Sequence, residues 1–168
     1  MSKPEDIAQT PWWAVIGPEQ GESYWQPQPS NGYVTMKLSP DTMPYDTFTS
    51  GTQVLPPGSN VREHGHKQNH ELIFIHQGTG ICRIEDETYE LKPGVTVLFG
   101  RYARHTIENT GDVDMHMFWV FFPPALEYWF RAIGQPRMHG DQAPEPFPRP
   151  GGIENAMEQQ RFLPPKPE

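Results

Sequence analysis

The stretch Gly58-Ser59-Asn60-Val61-Arg62-Glu63-His64-Gly65-His66-Lys67-Gln68-Asn69-His70-Glu71 decides how the rest of the chain is read. Val61–His66 is a short run of strand-compatible residues, and its two histidines are separated by one glycine. Side chains on a strand alternate faces, so His64 and His66 point the same way, which suits two ligands on one metal. Glu71 follows at the start of the next predicted strand, and His105 opens another further on. Three imidazoles and one carboxylate make an N3O donor set suited to Fe(II), Mn(II), Ni(II) or Zn(II), with positions left for substrate. His70 competes with Glu71 for the carboxylate place. The two fall on opposite faces of an extended strand, so only one reaches the metal.

Outward from this stretch, runs of β-formers alternate with turn residues. The predicted strands are 33–38, 46–55, 61–66, 71–76, 81–84, 88–91, 96–99, 105–109 and 115–122. The breaks between them hold Pro56-Pro57-Gly58, Gln77-Gly78, Pro93-Gly94 and Thr110-Gly111-Asp112. Such spacing points to an all-β sandwich or barrel rather than βαβ units. Pro123-Pro124 followed by an apolar stripe at Leu126, Trp129, Phe130 and Ile133, with Gly134 beyond, predicts one capped helix. Residues 1–32 carry Trp12, Trp13, Tyr24 and Trp25 among prolines and read as an extended arm whose aromatics dock on the body or on a second subunit. Residues 33–134 read as the barrel plus its helix. Residues 135–168 read as a Pro-rich extension with a loose tail beyond Arg161.

Composition excludes several classes. Twenty prolines in 168 residues leave no room for a helical bundle. Thirteen Lys and Arg against 21 Asp and Glu give a net charge of −8, a poor match for nucleic acid or anionic membranes. The most apolar stretch, 117–130, is interrupted by prolines and too short to span a bilayer. One cysteine, Cys82, excludes an internal disulfide and a cysteine-based zinc cluster, and reads as a small core residue. With no signal-peptide pattern at the first residues, the expected location is the cytoplasm.

Gly58-(five)-His64-Gly65-His66-(four)-Glu71-(six)-Gly78 resembles the first motif of the cupin superfamily. Gly94-(five)-Gly100-Arg101-Tyr102-Ala103-Arg104-His105-(three)-Asn109 resembles the second. The short span between them, Thr79–Pro93, is similar to that of small bacterial single-domain cupins. Two positions depart from the pattern: Gly100 stands where the family has proline, and Tyr102 where it has glycine. Neither is a ligand position, but the loop and the aim of the Tyr102 phenol are affected. The resemblance implies a double-stranded β-helix (jelly-roll) barrel holding one divalent transition metal per chain on His64, His66, Glu71 and His105. Fe or Mn heads the expectation, with Ni or Zn as alternatives. Glu71 keeps register with Gly78, which favours it over His70.

Around that metal, Arg62 shares the parity of His64 and is expected to clamp a substrate oxygen, with Tyr102 and His116 as further substrate-binding candidates. The donor set resembles that of quercetinase-type cupin dioxygenases, which cleave activated C–C bonds of phenolic or β-dicarbonyl compounds. That likeness implies Glu71 as ligand and as the base that removes a hydroxyl proton. Since fold does not fix function, redox-neutral lyase, isomerase or cyclase chemistry and a non-catalytic ligand-binding role stand as alternatives. Barrel edges need cover, so a homodimer joined through the aromatic arm is expected, weakened by deleting residues 1–25.

Overall fold

The computed structural model describes residues 12–153, 156 and 162–166. The first residues of the predicted arm, 1–11, lie outside the described residues. Two antiparallel sheets face each other, in the jelly-roll arrangement expected for the sequence. The larger contains β1 (Glu22–Trp25), β2 (Tyr33–Leu38), β3 (Thr49–Leu55), β5 (His70–Gln77), β8 (Thr96–Phe99), β10 (Met115–Phe122) and β11 (Gln135–Pro136), in the order β11-β1-β2-β3-β10-β5-β8. The smaller contains β4 (Asn60–His66), β6 (Gly80–Ile84), β7 (Glu87–Leu91), β9 (His105–Glu108) and β12 (Phe162–Leu163), in the order β12-β4-β9-β6-β7.

The core lies between the sheets, and β10 shows how the sequence builds it. Met115, Met117, Trp119 and Phe121 are buried, while His116, Phe118, Val120 and Phe122 take the other face. Burying each of the four stabilises the fold by about 1.5–3 kcal/mol. Tight turns then hold the sheets in register. Gly78 (φ +77°) follows β5, where a Cβ would come within 2.6 Å of the Met115 Cα, so both the backbone angle and the space call for glycine.

The helix α1 (Leu126–Ile133) forms where the apolar stripe predicted it and buries Leu126, Trp129, Phe130 and Ile133. Glu127 is buried beside them and accepts a hydrogen bond from Thr49 Oγ1 at 2.6 Å, which fastens the helix to β3. Gly134 ends the helix, its N–H donating to Phe130 O at 2.9 Å.

Both flanking segments join the sheets where they are described. β1 is an interior strand of the large sheet, pairing with β2 on one side and β11 on the other, so Tyr24 and Trp25 cover the chain's own body. The stretch after 161 is likewise not loose where it is described: Phe162 and Leu163 pair with His66 and Gly65. Two-residue strands carry no periodicity, and these two exist only because a long-range partner offers an open edge. No helix among the described residues is long and apolar enough to cross a membrane.

Candidate metal centre

Strand β4 supplies His64 and His66, β9 supplies His105 directly opposite His64, and β5 supplies Glu71 from the facing sheet. One ligating atom from each of the four lies within 4.8 Å of the others. The structure therefore brings together all four residues that the sequence grouped. Glu71 Oε2 is 3.0 Å from His66 Nε2 and 3.4 Å from His105 Nε2. His70, one position away, leaves on the opposite face and stacks on Phe122 at 5.4 Å, as strand alternation requires.

Two of the three imidazoles are held from behind by backbone carbonyls. His64 Nδ1 sits 2.8 Å from Arg62 O, and His105 Nδ1 sits 3.0 Å from Ala103 O. A carbonyl only accepts, so both Nδ1 atoms carry the proton and both Nε2 atoms keep a lone pair for the cluster. His105 stacks flat on Phe99 at 3.7 Å, and His66 packs edge-on against Phe121 at 4.8 Å. Gly65 leaves room beside them: a Cβ there would stand 3.1 Å from both Ala103 O and Leu163 Cδ1.

The electrostatics suit a cation. Burial, aided by the neighbouring His105 and His66, pushes the His64 pKa down to about 3, so this imidazole is neutral at pH 7. Burial alone would raise the Glu71 pKa, but the His105 and His66 imidazoles beside it outweigh burial and hold the carboxylate below its ordinary range. His66 Nδ1 and His105 Nε2 are buried without a hydrogen-bond partner. Buried polar nitrogens without partners are rare in proteins. Imidazole nitrogens converging on an ionised carboxylate fit a divalent metal ion. Cys82 is buried, and its thiol is pushed up to about 12 by burial and the Glu71 charge, which makes it the inert core residue expected.

Those shifts fix a pH dependence. The unfolded chain protonates His64 near pH 6.5 and the folded one only near 3, so between those values the unfolded state binds the extra proton. Glu71 stabilises the fold above its ordinary value of 4.5 and loses that contribution as pH falls toward its depressed folded value. Both signs agree. Chelator-treated protein should melt at falling temperature from pH 7 to pH 4, with at most about 1.4 kcal/mol lost per proton per pH unit. His64→Ala should flatten the limb between pH 6.5 and 4.5 in a thermal denaturation series; an unchanged slope there would contradict the assignment.

The cluster opens on a cavity of about 550 Å³ whose wall includes His64 and Glu71. Trp129 and Phe130 from α1 and Phe162 from β12 form its aromatic side, with Arg62, Glu63, Gln53 and Arg149 as polar groups. Phe162 stands edge-on to Trp129 at 5.0 Å and 5.4 Å from His66. Arg62 reaches the rim, exposed, with Nη2 donating to Gln28 O at 3.2 Å.

Tyr102 and His116 are not brought to the cavity. Tyr102 has φ +68° and is 61% exposed, its N–H donating to His66 O at 2.8 Å. That left-handed angle explains why glycine is the usual residue of the motif. The phenol is turned to solvent. His116 lies on the outer face of β10, its ring 5.4 Å from that of His76, because the odd-numbered residues of this strand take the core. Conversely, sequence reasoning missed Arg149, Trp129 and Phe162 as cavity residues. The available signal was an isolated apolar pair, Phe162-Leu163, in a polar tail.

Comparison with known proteins agrees with this architecture. The cupin domain family model matches residues 51–121. A 5-nitrosalicylic acid 1,2-dioxygenase of Bradyrhizobium sp is 35% identical over 83 residues, which are 49% of this chain and 39% of that one. An oxalate-binding protein of Thermotoga maritima is 34% identical over 61 residues, 36% of this chain and 50% of the relative. The chain thus spans half or less of the length of these two relatives. A solved structure described as a predicted oxalate decarboxylase from Thermotoga maritima superposes with a TM-score of 0.57 at 26% identity, covering 65% of this chain and 98% of that one. With the two motifs, the paired sheets and the four converging donors, these matches make residues 51–121 a cupin domain.

Proposed function

We propose that the protein is a metal-dependent dioxygenase acting on a small phenolic, enolic or β-dicarbonyl compound, with Fe or Mn as its metal. The observation that carries this reading is the donor set of His64, His66, Glu71 and His105 at the wall of an aromatic-sided cavity. Bound there, the metal would supply Lewis-acid and redox chemistry to substrate oxygens. The chain's own residues supply the rest. Trp129, Phe130 and Phe162 exclude water and pack against a planar substrate. Glu71 borders the cavity, and the likeness to quercetinase-type cupins makes it the residue to take a hydroxyl proton from an entering phenol or enol. A cavity of about 550 Å³ falls within the size range of small-molecule sites. The name of the Bradyrhizobium relative supports the same substrate chemistry, since a nitrosalicylic acid is a phenol with an adjacent carboxyl group.

A redox-neutral reading, a lyase or decarboxylase, is favoured by the Thermotoga structure, nearly all of which aligns with this chain. Oxygen uptake separates the two. Protein stripped by chelator and reloaded with Fe(II), Mn(II), Ni(II) or Zn(II) is mixed with catechols, flavonols, β-diketones and 2-hydroxybenzoates. The expected result is O2 consumption with Fe or Mn only, and only when an oxygen-chelating substrate is present. Equal turnover without O2 would replace the dioxygenase by the lyase, and tight binding without turnover of any compound would leave a binding protein.

A further inference from the structure

We propose that Arg149, assisted by Arg62, is an anion clamp in the cavity wall, and that the molecule bound there is a small organic acid docking through its carboxylate. The inference deepens the reading above and rests on its assignment of the cavity as the substrate site.

Arg149 is a half-buried guanidinium with no acid beside it among the described residues. Its Nε is buried and has no hydrogen-bond partner among them, and its Cζ lies over the Trp129 ring at 5.0 Å. Three other arginines of the fold pair with acids, Arg83 with Glu108, Arg131 with Glu22 and Asp41, and Arg137 with Glu19, while Arg62 and Arg104 donate to backbone carbonyls and Arg101 is exposed. In a chain with 21 acidic and 13 basic residues, a sheltered arginine left without a carboxylate calls for an explanation. The two acids of the cavity wall are engaged elsewhere: Glu71 faces His66 and His105, and Glu63 accepts from the Lys166 N–H at 3.4 Å.

The backbone that carries the group is held on both sides. Pro148 and Pro150 flank Arg149, fixing the backbone on both sides. Phe147 O accepts from the Gln28 N–H at 2.9 Å, and the carbonyl of the same Gln28 accepts from Arg62 Nη2 at 3.2 Å. One residue of the β1–β2 connection thus fastens both arginines. They stand close enough that burial, and then the Arg62 charge, lower the Arg149 pKa from its ordinary value, with no carboxylate opposing them. Stacking on Trp129 occupies a face of the guanidinium and leaves its N–H edge for a planar, two-oxygen acceptor. A carboxylate matches that fork in charge and in shape.

Titration calorimetry of the full chain tests the clamp, using 2-hydroxybenzoate and oxalate against their uncharged amides, 2-hydroxybenzamide and oxamide, with inorganic phosphate as a further probe. At least one acid should bind about tenfold or more tightly than its amide, the scale of one good charge-assisted contact. Arg149→Gln should reduce that preference to within about threefold, and Arg149→Lys, which keeps the charge but loses the fork, should fall between. Circular dichroism checks that both variants are folded. Should Arg149→Gln fail to fold, the wild-type acid-over-amide ratio and the Lys variant still decide. Equal binding of acids and amides by the wild type, a preference untouched in folded variants, or tighter binding of phosphate than of either acid would overturn the proposal. The oxygen assay reads separately: O2 consumption with an uncharged substrate and no acid preference removes the clamp alone. An acid preference lost in Arg149→Gln without any O2 consumption removes the dioxygenase alone.

Discussion

Replacing His66 with alanine should abolish stable metal binding, and His64→Ala should do nearly the same. His66 is fully buried, faces Glu71 at 3.0 Å and packs edge-on against Phe121, so no solvent ligand can take its place without opening the core. Altering a group that merely orients a ligand typically weakens metal affinity 10–100-fold, so deleting a ligand should exceed about 100-fold, or about 2.7 kcal/mol. The variant also leaves Glu71 with one fewer imidazole opposite its charge. Part of the damage should therefore appear as lower stability without metal. The measurement is metal per chain by elemental analysis after dialysis against a chelator, with circular dichroism as the check on folding. His116→Ala serves as the control, since its ring lies on the outer face of β10 beside His76. Wild-type metal content in the His66 variant would dismiss the four-residue site.

The residues behind that expectation were legible in the sequence because they obey local rules. Strand alternation is a property of the backbone, so His64-Gly65-His66 announces a shared face wherever the strand ends up. The same rule put Glu71 and His70 on opposite faces, and runs of β-formers cut by turn residues bounded β2, β8 and β10 at the residues observed. The helix stripe was equally local. What escaped was set by partners far along the chain. β1 became an interior strand because β11 closes on it, and β12 exists because β4 offers an edge beside the histidines. Arg149 enters the cavity because Phe147 bonds to Gln28, some 120 residues earlier in the chain. Phase accounts for the rest. The odd phase of β10 sends His116 outward, whereas Arg62 reaches the rim of the cavity that His64 lines. Local patterning thus found the donors, while the walls that select a substrate came from long-range pairing.

The donor that most deserves separate testing is Glu71. Glu71→Gln should reduce turnover by at least about 100-fold while preserving the fold, because the amide keeps the volume but neither carries the charge nor accepts a proton. Its carboxylate is held ionised between His66 and His105, so the lost negative charge should also weaken metal binding. His70→Gln should stay within about twofold of wild type, since the His70 ring stacks on Phe122 on the other side of the same strand, and exposed-face changes are usually small. The two variants differ by one position in sequence and by a whole sheet face in space. Parallel measurements of kcat and metal content on both therefore isolate the facing of β5 from any general disturbance of the strand. A third readout guards against a trivial loss of structure: without the Glu71 carboxylate, the metal-free protein should no longer lose stability to that group as pH falls below about 4.5. Loss of activity in His70→Gln with retention in Glu71→Gln would transfer the ligand role to position 70 and turn β5 over.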